Sequence, residues 1–170
     1  MGQRGSEIIG VDKKNLVKML NEALAEEWLA YYQYWIGARV MEGPMRSEIE
    51  PELNIHANQE LNHAVMVCDR IVQLGGTPVL TPAKWMELSS CEYGTPEDPY
   101  VEVILQQNLD GERCAIQRYS DIANFASGKD HATYQMAVQI LNEENEHEQE
   151  IEDWLTDIDR MRENFKKLRM

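Results

Sequence analysis

The chain of 170 residues is poor in cysteine, poor in cationic side chains and without any long apolar run. Three cysteines, Cys68, Cys91 and Cys114, are too few for a disulfide framework in a chain of this size, so a cytoplasmic setting is the expectation. The first residues are polar and glycine-containing, unlike the apolar core of a secretion signal. No stretch has the apolar length needed to span a bilayer. Lys and Arg number 16 against 30 Asp and Glu, giving a net charge of −14. That is the opposite of the basic footprint that DNA or RNA binding requires, and it favours the accumulation of metal cations.

What the chain has in quantity is helical periodicity. Four long segments repeat apolar residues every 3.6 positions, which predicts an all-α fold in one domain spanning 1–170. The first runs from about 12 to 41 and faces inward with Leu16, Leu20, Ala23, Glu27, Ala30, Tyr34, Ala38 and Met41. The second, about 47 to 74, presents Leu53, His56, Glu60, His63, Val67, Ile71 and Leu74 and stops at Gly75-Gly76-Thr77-Pro78. The third begins near Asp98-Pro99, read as an N-cap with Pro at N1, and faces inward with Val101, Leu105, Asn108, Glu112, Ala115, Tyr119, Ile122 and Ala126. The fourth, about 131 to 168, carries Tyr134, Ala137, Leu141, Glu144, His147, Ile151, Leu155 and Ile158. Residues 1–11 read as a flexible N-terminus. Residues 77–98 read as a proline-rich crossover with a short helix near Pro82 to Leu88. Short turns after the first and third helices with one long crossover between helices 2 and 3 define a one-crossover four-helix bundle.

The chemistry lies where polar residues interrupt the apolar stripes. Glu60 and His63, and again Glu144 and His147, spell Glu-x-x-His, and residues three apart share a helix face. Each pair offers a carboxylate and an imidazole in one direction, and Glu27 and Glu112 add one carboxylate each from the other two helices. Glu27 to Glu60 is 33 residues and Glu112 to Glu144 is 32, the length that returns an antiparallel helix to the same level. Ionised groups at core positions are costly unless paired or metal-bound. A solvated face accounts for Glu143, Glu146, Glu148 and Glu150, but not for six polar residues in one core layer. These six read as ligands of two metal ions.

The motifs Glu27-Trp28-Leu29-Ala30 through Gln33-Tyr34, Glu60 to His63, and Leu141 to His147 resemble, in order, those of the ferritin-like superfamily, and of bacterioferritin within it. The resemblance covers roughly 12 to 160. It implies Glu27 and Glu112 as terminal ligands, Glu60 and Glu144 as bridges, one histidine nitrogen per metal, and two iron ions per subunit; manganese suits the same ligands. It also implies that Tyr34 stands beside the centre, where it can supply an electron or order the site. Leu61 occupies the position of the bacterioferritin haem-ligating Met, which argues against haem. The 23 residues after His147 continue as helix without the break that precedes a short fifth helix in 24-subunit ferritins. A long crossover carrying Cys91, with Cys114 two residues after Glu112, is similar to the DPS-like thioferritins. That likeness implies a redox-active cysteine pair and a dodecameric homo-oligomer; as plain residues, both cysteines also read as small apolar fillers, as does Cys68. The implied function is a ferroxidase that oxidises Fe²⁺ with H₂O₂ or O₂ and stores the product in a shell, protecting against oxidative stress. The alternative is a rubrerythrin-like di-iron peroxidase or oxidase without mineral storage, although three scattered cysteines cannot build a rubredoxin-type site. His56, one turn before Glu60, reads either as a hydrogen-bonded core histidine or as a transient iron ligand. Trp28, Tyr31, Tyr32 and Trp35, off the inner stripe, indicate an apolar outer surface that needs covering.

Overall fold

A computed structural model describes residues 2, 5 and 7–168. The long elements are α1 (Lys13–Val40), α2 (Arg46–Gln73), α4 (Val101–Ala126) and α5 (His131–Leu168), with a single-turn α3 (Trp85–Leu88) preceded by a 3₁₀ turn (Pro82–Lys84). α1 packs along α2 and α4 along α5, and the two hairpins meet through α1 with α4 and α2 with α5. The segment expected to be flexible, 1–11, lies partly outside the described residues. Within it, Ile9 and Val11 pack against the core, and the Gly10 N–H donates to the Lys129 carbonyl at 2.9 Å.

Local chemistry sets the helix ends. The Asp12 carboxylate caps α1 by accepting the Lys14 N–H at 3.0 Å. α2 ends in a Schellman arrangement: Gly75 N–H donates to the Val72 carbonyl and Gly76 N–H to that of Ile71, both at 2.9 Å. Gly75 has φ +81, which is cheap only for glycine, and a Cβ on Gly76 would meet Val17 at 2.6 Å.

Two details differ from the sequence reading. α4 begins at Val101, not at Pro99, because the preceding strand-like stretch is already engaged. Glu42 N–H donates to the Pro99 carbonyl at 2.7 Å, and Val101 N–H donates back to Glu42 at 2.8 Å. Asp98 accepts the Tyr100 N–H instead of capping the helix. On α5, Tyr134 faces outward, 41% exposed, and Thr133 takes the inward position. Thr133 is held there by Arg70 Nε at 2.7 Å and by Asp130 at 2.6 Å, which turns the first helical turn by one residue relative to the apolar pattern.

The core forms two apolar clusters. Leu16, Leu20, Val67, Ile71, Ile122 and Ile140 belong to one, and Ala38, Leu53, Ile104, Leu105, Ile151 and Ile158 to the other. Each large aliphatic side chain so buried contributes roughly 1.5–3 kcal/mol. Part of the outer aromatic surface of α1 is covered by the crossover: Trp85 stacks on Trp28 at 5.3 Å and Tyr93 on Tyr32 at 6.4 Å.

Asp130 caps the start of α5 and receives Arg70 Nη2 on both oxygens, at 2.7 and 2.6 Å. Burial raises its pKa, but the bonds from Thr133 and Arg70 prevail and hold it below 3.8. Its contribution to stability is therefore present above that pH and lost as pH falls through the lower folded value. Asp130→Ala leaves Arg70 buried without a counter-ion, and an unfolding titration in urea should show a loss of about 3–5 kcal/mol. A loss below about 1 kcal/mol would mean that the pair behaves as a solvated surface contact.

Candidate metal centre

The bundle places all six sequence-selected ligands in one layer between the two apolar clusters. Glu27 comes from α1, Glu60 and His63 from α2, Glu112 from α4, and Glu144 and His147 from α5. None is more than 3% exposed, so none can be satisfied by bulk water. They form two four-residue groups, Glu27–Glu60–His63–Glu144 and Glu60–Glu112–Glu144–His147, each with ligand atoms within 4.8 Å of one another. Glu60 and Glu144 belong to both.

The layer has an approximate twofold symmetry. His63 Nδ1 lies 3.2 Å from Glu60, 3.2 Å from Glu144 and 3.6 Å from Glu27. His147 Nδ1 lies 3.1 Å from Glu60, 3.3 Å from Glu144 and 3.6 Å from Glu112. Tyr34 on α1 donates its hydroxyl across the bundle to Glu112, and Tyr119 on α4 donates back to Glu27. Both imidazoles turn Nδ1 into the layer and Nε2 outward, His63 to Glu143 at 2.8 Å and His147 to Gln59 at 3.0 Å.

The electrostatics are those of crowded like charges. Burial, with the charge of Glu60 adding to it, pushes the Glu27 carboxyl up to about 8 despite its bond with His63. Burial and the charges of Glu60 and Glu112 push Glu144 well above the usual range. Glu60, where burial is overcome by bonds from His147 and His63, falls below it. Burial disfavours both imidazolium ions, but the surrounding carboxylates win, raising His147 to about 12 and His63 further. Burial and then the neighbouring carboxylates, Glu112 first for Tyr34 and Glu27 for Tyr119, lift the two phenols well above 10, so both remain donors. Even so, Glu27 Oε2, Glu60 Oε1, both Glu144 oxygens and His147 Nδ1 are buried with only imidazole–carboxylate ion-pair contacts of 3.1–3.6 Å and no well-aligned hydrogen bond. Atoms of this kind converging on two points, four of them carboxylate oxygens and one an imidazole nitrogen, fit divalent cations with oxygen and nitrogen ligands.

A cavity of about 40 Å³ reaches the layer between α1, α4 and the crossover. Its lining includes Glu27, Tyr34, Glu112, Tyr119, Cys91 and Tyr93, and it is large enough for water-sized molecules. Cys91 and Cys114 are joined in a disulfide that fastens the crossover to α4, while Cys68 is free and half-buried. His56 is buried, with Nε2 2.9 Å from Glu150 and its ring stacked on His147 at 4.2 Å.

The sequence reading did not single out Tyr119, although it follows Glu112 by seven residues as Tyr34 follows Glu27. It also placed Glu143 and Glu150 on a solvated face. Glu150 is indeed exposed and Glu143 partly so, but each also reaches a histidine of α2, Glu143 as the outer partner of His63 and Glu150 as that of His56.

Residues 17–161 match the ferritin-like domain family, and the chain belongs to it. Within that family it is 37% identical over 151 residues to the DNA protection during starvation protein of Pyrococcus furiosus, covering 86% of this chain and 80% of the relative. It is 26% identical over 136 residues to the bacterioferritin of Desulfovibrio desulfuricans, covering 79% and 71%. Among solved structures, a dodecameric thioferritin, the bacterioferritin-related protein of Bacteroides fragilis, superposes with a TM-score of 0.95 at 50% identity, covering 96% of this chain and 99% of that one. Among the described residues no helix is long and apolar enough to cross a membrane.

The proton balance gives a test that needs no metal. Glu27 and both imidazoles bind protons more tightly folded than unfolded. Stability of the chelator-treated protein should therefore fall as pH rises from about 4.5 through about 8, and go on falling as the imidazoles lose their protons. Thermal unfolding at pH 6 and pH 9 checks this, and a higher midpoint at pH 9 would contradict the assignment. Glu144→Gln should flatten the dependence and leave the metal-free protein at least as stable, since an amide keeps the neutral form that burial imposes on this carboxyl and has no proton to lose as pH rises.

Proposed function

We propose that the six residues hold two Fe²⁺ ions as substrate, that Glu60 and Glu144 bridge them, and that the protein oxidises Fe²⁺ to Fe³⁺ and stores the product in a homo-oligomeric shell. The observation that carries this is the pair of four-residue groups sharing two carboxylates, with four buried carboxylate oxygens that make no well-aligned hydrogen bond. Four carboxylates balance the charge of two Fe²⁺ ions. Neutral imidazoles add electron density without adding charge, and carboxylates suit the harder ferric state. Manganese satisfies the same ligands. With H₂O₂, one electron leaves each Fe²⁺, the O–O bond breaks and two hydroxides form, which offset the charge gained. O₂ is the other candidate oxidant.

Tyr34 and Tyr119 hold the two terminal carboxylates and fix which oxygen each presents. Cys91 and Cys114 serve as a redox pair. When reduced, their thiols pass two electrons and two protons to peroxide, yielding the disulfide and two waters. The similarity to the Pyrococcus protein and to the dodecameric Bacteroides thioferritin supports a dodecamer that guards against oxidative stress in the cytoplasm. The chain's charge of −14 offers DNA no attraction.

Sharing sets a test of the ligand scheme. Glu60→Ala or Glu144→Ala should abolish loading of both ions, whereas Glu27→Ala or Glu112→Ala should leave one, counted by elemental analysis after desalting. Equal losses from all four variants would remove the bridging roles. For storage, about 50 Fe²⁺ per chain are added without oxygen, followed by peroxide and a sizing column. Iron co-eluting with a large soluble shell supports storage. Iron limited to about two per chain, with the rest precipitating, would replace storage by a rubrerythrin-like peroxidase or oxidase.

A further inference from the structure

We propose that the two halves of the centre are unequal: the Glu27–Glu60–His63–Glu144 half fills first, because Glu143 accepts the outer N–H of His63 where Gln59 accepts that of His147. This rests on the reading that the six residues hold metal.

The approximate twofold symmetry makes the comparison internal. Gln59 directly precedes the bridging Glu60, and Glu143 directly precedes the bridging Glu144, so the two positions are equivalent. Each reaches across to the histidine of the opposite helix. Around the imidazoles the remaining contacts agree closely: Nδ1 lies 3.2, 3.2 and 3.6 Å from its carboxylates for His63 and 3.1, 3.3 and 3.6 Å for His147. Each terminal carboxylate receives one tyrosine hydroxyl. At the outer nitrogen the halves part, with a carboxylate at 2.8 Å for His63 and a neutral amide oxygen at 3.0 Å for His147.

The consequence follows from how imidazole binds metal. With Nδ1 committed to the cation, the proton sits on Nε2, which must donate. A carboxylate acceptor makes a charge-assisted bond, about twice as strong as one to an amide, and it returns electron density to Nδ1. The outer partner of a metal-bound histidine typically governs about 10–100-fold in affinity. Glu143 is also fixed in place, since Gln139 Nε2 donates to its other oxygen at 3.1 Å. The position equivalent to Gln139 on α2 is Ile55, half exposed and unable to donate.

A second asymmetry acts in the same direction. His56 stacks on His147, while the equivalent residue on α5 is the buried Ile140. A neutral His56 gives the His147 N–H no better acceptor, and a charged one would repel a cation. Glu150 is 52% exposed and bonded to His56 rather than to His147, so it does not restore the balance. The first Fe²⁺ therefore settles on the His63 side, and the His147 side holds the ion that exchanges more readily.

The test uses the full-length protein freed of metal and Co²⁺, which peroxide-free buffer leaves unoxidised. Crystals given one Co²⁺ per chain are measured for anomalous signal at each half, because a stepwise titration alone would show two affinities from cation–cation repulsion even between equal sites. The wild type should carry its cobalt mainly on the His63 side. The exchange variant Q59E/E143Q, which keeps the composition unchanged, should carry it mainly on the His147 side, and E143Q alone should bring the two occupancies close together. Equal occupancy in the wild type, or an unchanged order in the exchange variant, overturns the proposal while leaving the centre intact. Cobalt absent from both halves sinks the metal-binding reading itself. If the exchange variant does not assemble, E143Q alone decides, since it changes one atom of a side chain that is one-third exposed.

Discussion

Everything in this bundle is arranged around the cost of burying four carboxylates in one layer. Like charges a few ångströms apart in a dry interior cannot all ionise. The metal-free chain answers by keeping protons on Glu27, Glu144 and both imidazoles. That answer is incomplete, because five buried polar atoms of the layer still lack a well-aligned hydrogen bond. In the proposed function, two divalent cations supply the missing charge and the missing contacts together. The apolar clusters above and below the layer provide the stability that such a centre costs, and they exclude the water that would otherwise hydrate it.

The crossover joins the same arrangement from outside. Glu26 accepts the Ser90 N–H at 2.9 Å, Gln33 accepts the Gly94 N–H at 2.7 Å, and the Cys91–Cys114 disulfide ties the segment to α4. Arg118 completes the lattice by donating to Glu26, Glu22 and Ser90. These ties hold the segment against the cavity that leads to Glu27 and Glu112, so the long connection both links the hairpins and shapes the approach to the carboxylate layer. It also stacks Trp85 and Tyr93 on the aromatic face of α1, which reduces the apolar surface left for a neighbouring subunit.

How much of this was legible in the sequence depended on the range of the contact. Glu60 with His63 and Glu144 with His147 are neighbours on one helix, so spacing alone aligned them. The near-equal intervals from Glu27 and Glu112 set their level in the bundle. The end of α2 at Gly75 followed from capping chemistry. What escaped depended on cross-bundle geometry. Tyr119 was placed on the inner stripe but not in the site, because only the folded structure shows that the tyrosines trade helices to reach the opposite glutamate. Glu143 looked solvated because it belongs to an acidic run, and its partner His63 is 80 residues away. Tyr134 fit the apolar period, yet Arg70 and Asp130 claim Thr133 and shift the turn by one residue. Cys91 and Cys114 were expected as a pair only through the thioferritin likeness, since their spacing alone left both readable as apolar fillers; the crossover brings them together in a disulfide.

The most direct measurement of the central claim is anomalous diffraction from crystals saturated with Fe²⁺ under anaerobic conditions. The account predicts two iron peaks per chain inside the bundle, each beside one histidine Nδ1, with Glu60 and Glu144 contacting both and Glu27 and Glu112 one apiece. A single peak, or iron found only on the exposed carboxylates of α5, would contradict it.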